Sequence, residues 1–264
     1  MVDDYTLSTE VARPEIASVQ DLLSILQPMT GDRRELWYRG HRDYTWLLEA
    51  SVFRDENHRT NEQAMLARFR QEAAVTGLPY AFDGWGWITF AQHHQLPTRL
   101  LDWSPNPLVA LFFACEVGRE FLDDEVESDG EFFVLNPTAL NREAGDSDGG
   151  HPRLLTDADS KLKDFLPGGD ASARWKPRAV VAPLLFDRIR FQTGTFTVAQ
   201  APSGPAEAKE LRESSSLESF VVPGNSKREL REQLDSLGFN EASIYRDLDR
   251  IATRIKSLLG RSVS

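Results

Sequence analysis

The sequence predicts an α+β fold: a single domain in which a small split or mixed β-sheet is surrounded by helices. Helical and strand-like segments alternate irregularly, without the run of β-α-β units that would indicate a parallel sheet. The 264 residues are 41% hydrophobic and 10% aromatic, which is enough to bury a sizeable core. No internal repeat and no linker is visible, so we expect one domain over residues 1–264, with its core at about 30–200.

The first half of the chain is mainly helical. Pro28 should end the first helix, whereas Pro107 suits the first turn of the third, which is almost wholly apolar. The predicted elements are a helix over Ile16–Leu26, a strand at 36–39, a helix over Asn61–Thr76 and a helix from the cap Asn106 through about Phe121.

The second half is predicted to hold most of the strands. A two-residue period over 188–198 puts Arg190 and Gln192 on one face. Ser226 and Glu229 fit a capping box that opens a helix, and the C-terminal helices at 226–260 should dock on the core. The predicted elements are strands at 131–136, 179–186, 188–198 and from Phe220, loops at 142–150 and 201–219, and helices from Ser226 to Gly238 and over 244–258.

The single cysteine favours the reducing cytoplasm, and the net charge limits the possible partners. Thirty Lys and Arg against 41 Asp and Glu give a net charge of −11, which opposes loose adhesion to nucleic acid or to anionic membranes. The single Cys115 lies in an apolar run and should pack as a small hydrophobe. No apolar run approaches a membrane span, and the N-terminus does not look like a signal peptide, so we expect a cytoplasmic location and no membrane partner.

Two blocks concentrate the side chains that could carry chemistry: LWYRGHRDYTWLL at 36–48 and WGWITFAQHHQLPTRLLDWSPNPLVALFFA at 85–114. Arg39 ends a predicted strand before Gly40. A guanidinium there can grip a phosphate or carboxylate, while the glycine lets a ligand approach the backbone. The alternative for Arg39 is an ordinary ion pair. Arg99 lies in a segment that looks buried, and its simplest structural partner is Asp102.

Further candidates lie in the second block. His93 and His94 should point to opposite faces of an extended backbone, and His94 is the candidate general acid or base. Asp102 could cap the apolar helix, orient a histidine or bond a ribose hydroxyl. The tryptophans at 85, 87 and 103 could stack on a base or nicotinamide ring, or simply form core. Zinc is disfavoured because the spacing that a metal site needs is missing, and no P-loop, Rossmann or nucleophile-elbow motif is present.

The two blocks together resemble the FRG domain, which is named for its Phe/Tyr-Arg-Gly signature. The resemblance covers about Leu36–Phe196, and SIYRDLDRIATRI at 243–255 is similar to the closing helix of that family. It therefore implies that nearly the whole chain is one FRG unit. By analogy with the family it also implies a place in antiviral (phage) defence or toxicity.

A weaker resemblance is to mono-ADP-ribosyltransferases, whose first strand also carries Tyr-Arg-Gly. It implies an ADP-ribosyltransferase-like fold and an enzyme that moves ADP-ribose from NAD to a macromolecular acceptor, a protein or a nucleic acid. The third element of those enzymes presents Glu or Gln, which matches Gln192, with Glu218 as an alternative acid. The implied NAD-binding residues are Arg39, Gly40, Thr98, Arg99, Trp103 and Ser104, with Thr98 or Ser104 as the hydroxyl of the second strand, and the implied catalytic residues are His94, Asp102 and Gln192.

Two other functions would use the same residues, and the second of them is disfavoured. Arg39, Arg99 and the tryptophans could form a non-enzymatic module that recognises a nucleotide or the end of a nucleic acid. A metal-dependent nuclease using His93, His94 and Asp102 is disfavoured, because no paired carboxylates lie near them in the sequence.

Overall fold

The chain folds into two small sheets and a set of helices, which confirms the α+β prediction. A computed structural model describes residues 14–30, 35–76, 81–116, 127–169, 174–183 and 194–245. The strands are β1 Trp37–His41, β2 Leu100–Trp103, β3 Gly130–Leu135, β4 Arg153–Leu154, β5 Arg178–Val181, β6 Thr195–Val198 and β7 Leu217–Val222. The helices are α1 Val19–Met29, α2 Glu56–Ala73, α3 Gly84–His93, α4 Pro107–Ala114, α5 Pro137–Glu143, α6 Pro205–Ala208, α7 Lys227–Ser236 and α8 Glu241–Tyr245.

The two sheets meet where β1 passes β2. Sheet A has the order β1-β3-β7 and is antiparallel, whereas sheet B has the order β2-β6-β5-β4 and is antiparallel except for the parallel pair β4 and β5. Tyr38 and Ser104 form a bridge between them, with N···O distances of 2.7 and 2.8 Å. The architecture is therefore a split sheet, with β1 and β2 along the split.

Alternating side chains divide the core into three layers. The outer face of sheet A packs against α1, α4 and α7, and the far face of sheet B packs against α2 and α3. Between the sheets lie Trp37 and Phe133 of sheet A and Leu101 and Trp103 of sheet B, all at most 4% exposed. Successive residues of each strand thus enter different layers, as the pleat requires. None of the helices in the described ranges is both long and apolar enough to cross a bilayer.

The helix ends differ from the predicted ones for local reasons. Pro28 does not stop α1 but lies in its last turn, where a proline costs the helix only one backbone hydrogen bond. Helix α2 begins five residues earlier than predicted, because the Asp55 carboxylate caps it at His58 N. The Asn106 cap and Pro107 are confirmed, but α4 ends at Ala114, one residue before the apolar run ends at Cys115.

The C-terminal elements confirm some predictions and correct one. Gly238 follows α7 at φ +86°, as its predicted role in ending the helix requires. The capping box at Ser226 does not form. Residues 224–226 make a short 3-10 turn, which leaves Ser226 in a helical rather than an extended conformation, so its hydroxyl donates to Asn225 instead. Most of the predicted helix at 244–258, the strand residues 184–193 and the helix residues 117–121 lie outside the described residues.

Candidate functional site

Arg39 lies at the seam between the two sheets. Its Nη1 donates to the backbone carbonyl of Asp102 at 2.6 Å, and its Nε donates to Nε2 of His41 at 3.0 Å. The first bond reaches from β1 of sheet A to β2 of sheet B, and the second runs along β1. Two bonds from two strands therefore fix the guanidinium plane.

A chain of polar side chains leads from the second strand to helix α3. Gln92 donates its amide to the Asp102 carboxylate at 2.6 Å, and its own oxygen accepts from the Thr98 hydroxyl at 2.5 Å. Thr98 is fully buried, and Asp102 and Gln92 are partly buried. The structure thus brings together Arg39, Asp102 and Thr98 from the predicted site, with Gln92 as their link.

The charges of this cluster influence one another. Burial lowers the pKa of Arg39 to about 10; Asp102 opposes that shift and Arg54 adds to it. Burial also raises the pKa of Asp102, against the effects of Arg39 and of the Gln92 hydrogen bond. Arg39 therefore stays charged at neutral pH, and Arg54 adds a second cation whose pKa is lowered by burial. The seam thus combines the Arg39 guanidinium, fixed by two hydrogen bonds, with the Asp102 carboxyl group, which takes up a proton more readily than usual.

An aromatic loop follows β1 beside this cluster. The ring of His41 lies 5.1 Å from that of Phe133 and 6.0 Å from that of Trp46. Trp46 is 40% exposed, and the Arg42 guanidinium lies 5.0 Å over its ring. Tyr44 is also exposed in this loop, and the ring of Trp46 offers a planar apolar surface beside the Arg42 guanidinium.

Arg99 does not pair with Asp102, which corrects the sequence-based prediction of its partner. Its Nε donates to Oε1 of Glu62 at 2.9 Å, its Nη2 contacts the other Glu62 oxygen, and its Nη1 donates to the carbonyl of Phe165. Both side chains of the pair are at most 8% exposed. The structure therefore gives Arg99 a structural role: it joins α2 to the start of β2.

Gly40, Trp103 and Ser104, the other predicted NAD-binding residues, also have packing partners. A Cβ on Gly40 would lie 2.0 Å from the carbonyl oxygen of Ala110, so glycine is needed there for the close approach of β1 to α4. Trp103 is 3% exposed between the sheets and donates to the Thr197 hydroxyl at 3.0 Å. Ser104 carries the bridge between the sheets.

His93 and His94 do not lie on an extended strand, which corrects the prediction of their backbone. His93 ends α3 and His94 is its C-cap. The His94 ring packs against Phe90 at 4.6 Å and lies 6.1 Å from Phe69, so it contacts an aromatic group rather than Asp102. Its role as acid or base stays a prediction.

The catalytic candidate Gln192 lies outside the described residues. Its role also stays a prediction. The alternative acid Glu218 is an exposed residue of β7, opposite Val134 in the register of sheet A.

Sequence reasoning missed three members of the cluster: His41, Arg54 and Gln92. His41 could have been found, because residues two apart on a strand share a face and His41 follows Arg39 by two. Gln92 was hidden by the extended interpretation of its segment; on a helix it projects toward β2. Arg54 lies beyond a 3-10 turn that no sequence pattern indicated.

Two pockets elsewhere in the structure do not suit a dinucleotide. The first, lined in part by Glu49, Phe53 and Arg99, has a volume of about 30 Å³, which is enough for a water molecule or two. The second has about 370 Å³ but an acidic lining that includes Glu143 and Glu207. A carboxylate-rich wall repels a diphosphate, so the cationic seam is the better candidate.

Comparison with known proteins finds a family match for the segment that contains Arg39 and Asp102. The family model described as the FRG domain matches residues 34–122. The chain contains an FRG domain. The matched FRG segment includes β1, α2, α3, β2 and α4, and thus Arg39, Gln92, Thr98 and Asp102. No curated protein and no solved structure matches the chain.

Proposed function

We propose that this protein transfers ADP-ribose from NAD to a macromolecular acceptor, a protein or a nucleic acid. The observation that carries the proposal is the pairing of Arg39 with the Asp102 segment across the seam of the two sheets. Within the described residues, no protein group accepts a hydrogen bond from Nη2 of Arg39. A guanidinium held in this way supports bidentate binding of the NAD diphosphate, with Arg54 as a second cation.

The reaction breaks the bond between nicotinamide and C1 of the ribose and forms a bond from C1 to the acceptor. Positive charge develops on the ribose as in other glycosyl transfers. The Asp102 carboxylate can stabilise that charge when ionised, or accept the proton that the acceptor loses. Its raised pKa suits the second role, because a base with a pKa nearer neutrality takes up a proton more readily.

Exposed aromatic residues beside the cations support a ligand with a planar ring. Trp46 and Tyr44 are 40% and 50% exposed, in the loop that also contacts His41. A base or a nicotinamide ring stacked on such a face gains about 1–3 kcal/mol. Charge and aromatic faces at one place fit a nucleotide better than a simple anion.

The test is nicotinamide release from NAD by the purified protein, with total RNA, single-stranded DNA or protein extract as acceptor. Arg39→Ala removes a charged hydrogen-bond pair worth about 3 kcal/mol, so NAD affinity should fall roughly 100-fold. Arg68→Ala is the matched control, because Arg68 pairs with Glu72 on the exposed face of α2. Transferred mass on one acceptor class identifies the substrate.

The rival function is nucleotide recognition without catalysis. NAD or ADP-ribose that binds to the wild type in an Arg39-dependent way, with no nicotinamide released in any acceptor mixture, would establish that function instead. If the protein neither binds nor consumes NAD, the proposal is wrong. Gln192→Ala, measured in the same assay, tests the predicted third element.

A further inference from the structure

We infer that His41 is a positioning residue that holds Arg39 for ligand binding by accepting its Nε–H. The inference rests on the proposed function, in which Arg39 binds a diphosphate. His41 was not among the site residues predicted from the sequence, and the proposed reaction gives it no role. The basis of the inference is the geometry of β1.

The direction of the hydrogen bond fixes the form of the imidazole. Arg39 Nε lies 3.0 Å from His41 Nε2, and an arginine Nε–H can only donate. Nε2 must therefore carry a lone pair, which places the proton of a neutral imidazole on Nδ1. A doubly protonated ring has no acceptor and would break the bond.

The surroundings of His41 hold it in the neutral form. The residue is 2% exposed, between the rings of Phe133 and Trp46. The charged groups that act on it are Arg39, Arg54 and Arg212, and the last of these is paired with Glu131 of β3 by two hydrogen bonds of 2.9 and 2.6 Å. Burial and then the three arginines lower the pKa of His41 far below its usual value. The acceptor is thus available at every pH at which the protein would be assayed.

The consequence for Arg39 is a defined free edge. With Nε bonded to His41 and Nη1 bonded to Asp102 O, the Nη2 group and the second hydrogen of Nη1 have no acceptor among the described residues. An oxyanion can bind these N–H groups while the two bonds to the protein hold the guanidinium in place. Because the plane is fixed before the ligand arrives, binding does not cost the side-chain entropy of an arginine.

The experiment compares two substitutions of matched length. His41→Gln places an amide oxygen near the position of Nε2 and keeps the acceptor, whereas His41→Met has the same length but only a thioether sulfur, which accepts hydrogen bonds weakly. We expect ADP-ribose, measured by calorimetry, to bind His41→Gln within threefold of the wild type and His41→Met about tenfold more weakly. Thermal unfolding of both variants shows whether each is folded at the assay temperature.

A second measurement does not depend on ligand binding. The ¹⁵N spectrum of the wild-type His41 ring should show the Nδ1–H tautomer and no titration between pH 5.5 and 8. A proton on Nε2, or titration near pH 6.5, would overturn the inference. So would wild-type affinity in a folded His41→Met, or equal weakening in two folded variants. If the wild type binds neither NAD nor ADP-ribose and releases no nicotinamide, the proposed function fails, while the spectrum still decides the state of His41.

Discussion

The buried ion pair between Glu62 and Arg99 gives the sharpest test of how this fold is held together. Glu62→Gln removes the negative charge and replaces one acceptor oxygen by an NH₂ group that faces an arginine N–H. Arg99 would keep its charge at 6% exposure, with one charged hydrogen bond fewer. Leaving one partner of a buried pair uncompensated costs about 3–5 kcal/mol, a large part of the 5–15 kcal/mol that stabilises most domains.

Urea unfolding, followed by tryptophan fluorescence and by circular dichroism, measures this loss. At a slope of about 3 kcal/mol per molar urea, the midpoint of Glu62→Gln should fall by roughly 1 M or more. Glu72→Gln is the control on the same helix, because its pair with Arg68 is exposed and should contribute less than about 1 kcal/mol. The double variant Glu62→Leu with Arg99→Met should lose less stability than Glu62→Gln alone, since no charge remains buried.

A free energy of unfolding of Glu62→Gln within 1 kcal/mol of the wild-type value would refute the stabilising role of this ion pair. The same variant also tests the role of Arg99. If Arg99 is structural, folded Glu62→Gln protein should bind ADP-ribose with wild-type affinity at low temperature, whereas a role in binding would change the affinity.

Three further substitutions probe single contacts. Gly40→Ala should lower the free energy of unfolding by more than about 3 kcal/mol, because its Cβ would overlap the Ala110 carbonyl; a loss under 1 kcal/mol in thermal unfolding would contradict so close a packing of β1 on α4. Gln95 follows α3 at φ +64°, so Gln95→Gly should raise stability by about 1 kcal/mol, and no gain would mean that the strain is absent. The third test is the pH dependence of His41. Its folded-state pKa is lowered to about 2, so in the unfolded chain, where the pKa is near 6.5, the imidazole takes up a proton first as the pH falls. Between pH 7.5 and 5 the free energy of unfolding of the wild type should therefore fall by about 2 kcal/mol more than that of His41→Gln. Parallel curves of unfolding free energy against pH would refute the burial of a neutral ring.

Local chemistry made much of the fold predictable. The Asn106 cap with Pro107 in the first turn is confirmed, because both signals act within one helical turn. The strand that carries Arg39 is confirmed for a similar reason: its apolar residues match a strand buried on both faces.

The wrong predictions concern features that contacts between distant parts of the chain determine. Nothing in the sequence near Arg99 shows that its partner is Glu62, 37 residues earlier, rather than the adjacent Asp102. The prediction of an extended backbone for the histidine pair is wrong, because both residues lie at the end of α3, whose last turn orients Gln92. The sequence therefore indicated that the two blocks meet and that Arg39, Thr98 and Asp102 lie together, while the Gln92 link depends on a helix that periodicity did not show. The roles of these residues in binding or catalysis stay predictions.

The pairing of the strands has a practical consequence for anyone who works with the matched segment alone. Strand β1 pairs with β3 and β2 pairs with β6, and both of those partners begin after residue 122, where the family match ends. A fragment cut at that boundary would leave β1 and β2, which carry Arg39 and Asp102, without the backbone hydrogen bonds of their partner strands. Their unpaired edges would be prone to self-association. The smallest useful unit for expression extends at least through β7, which completes sheet A at Val222.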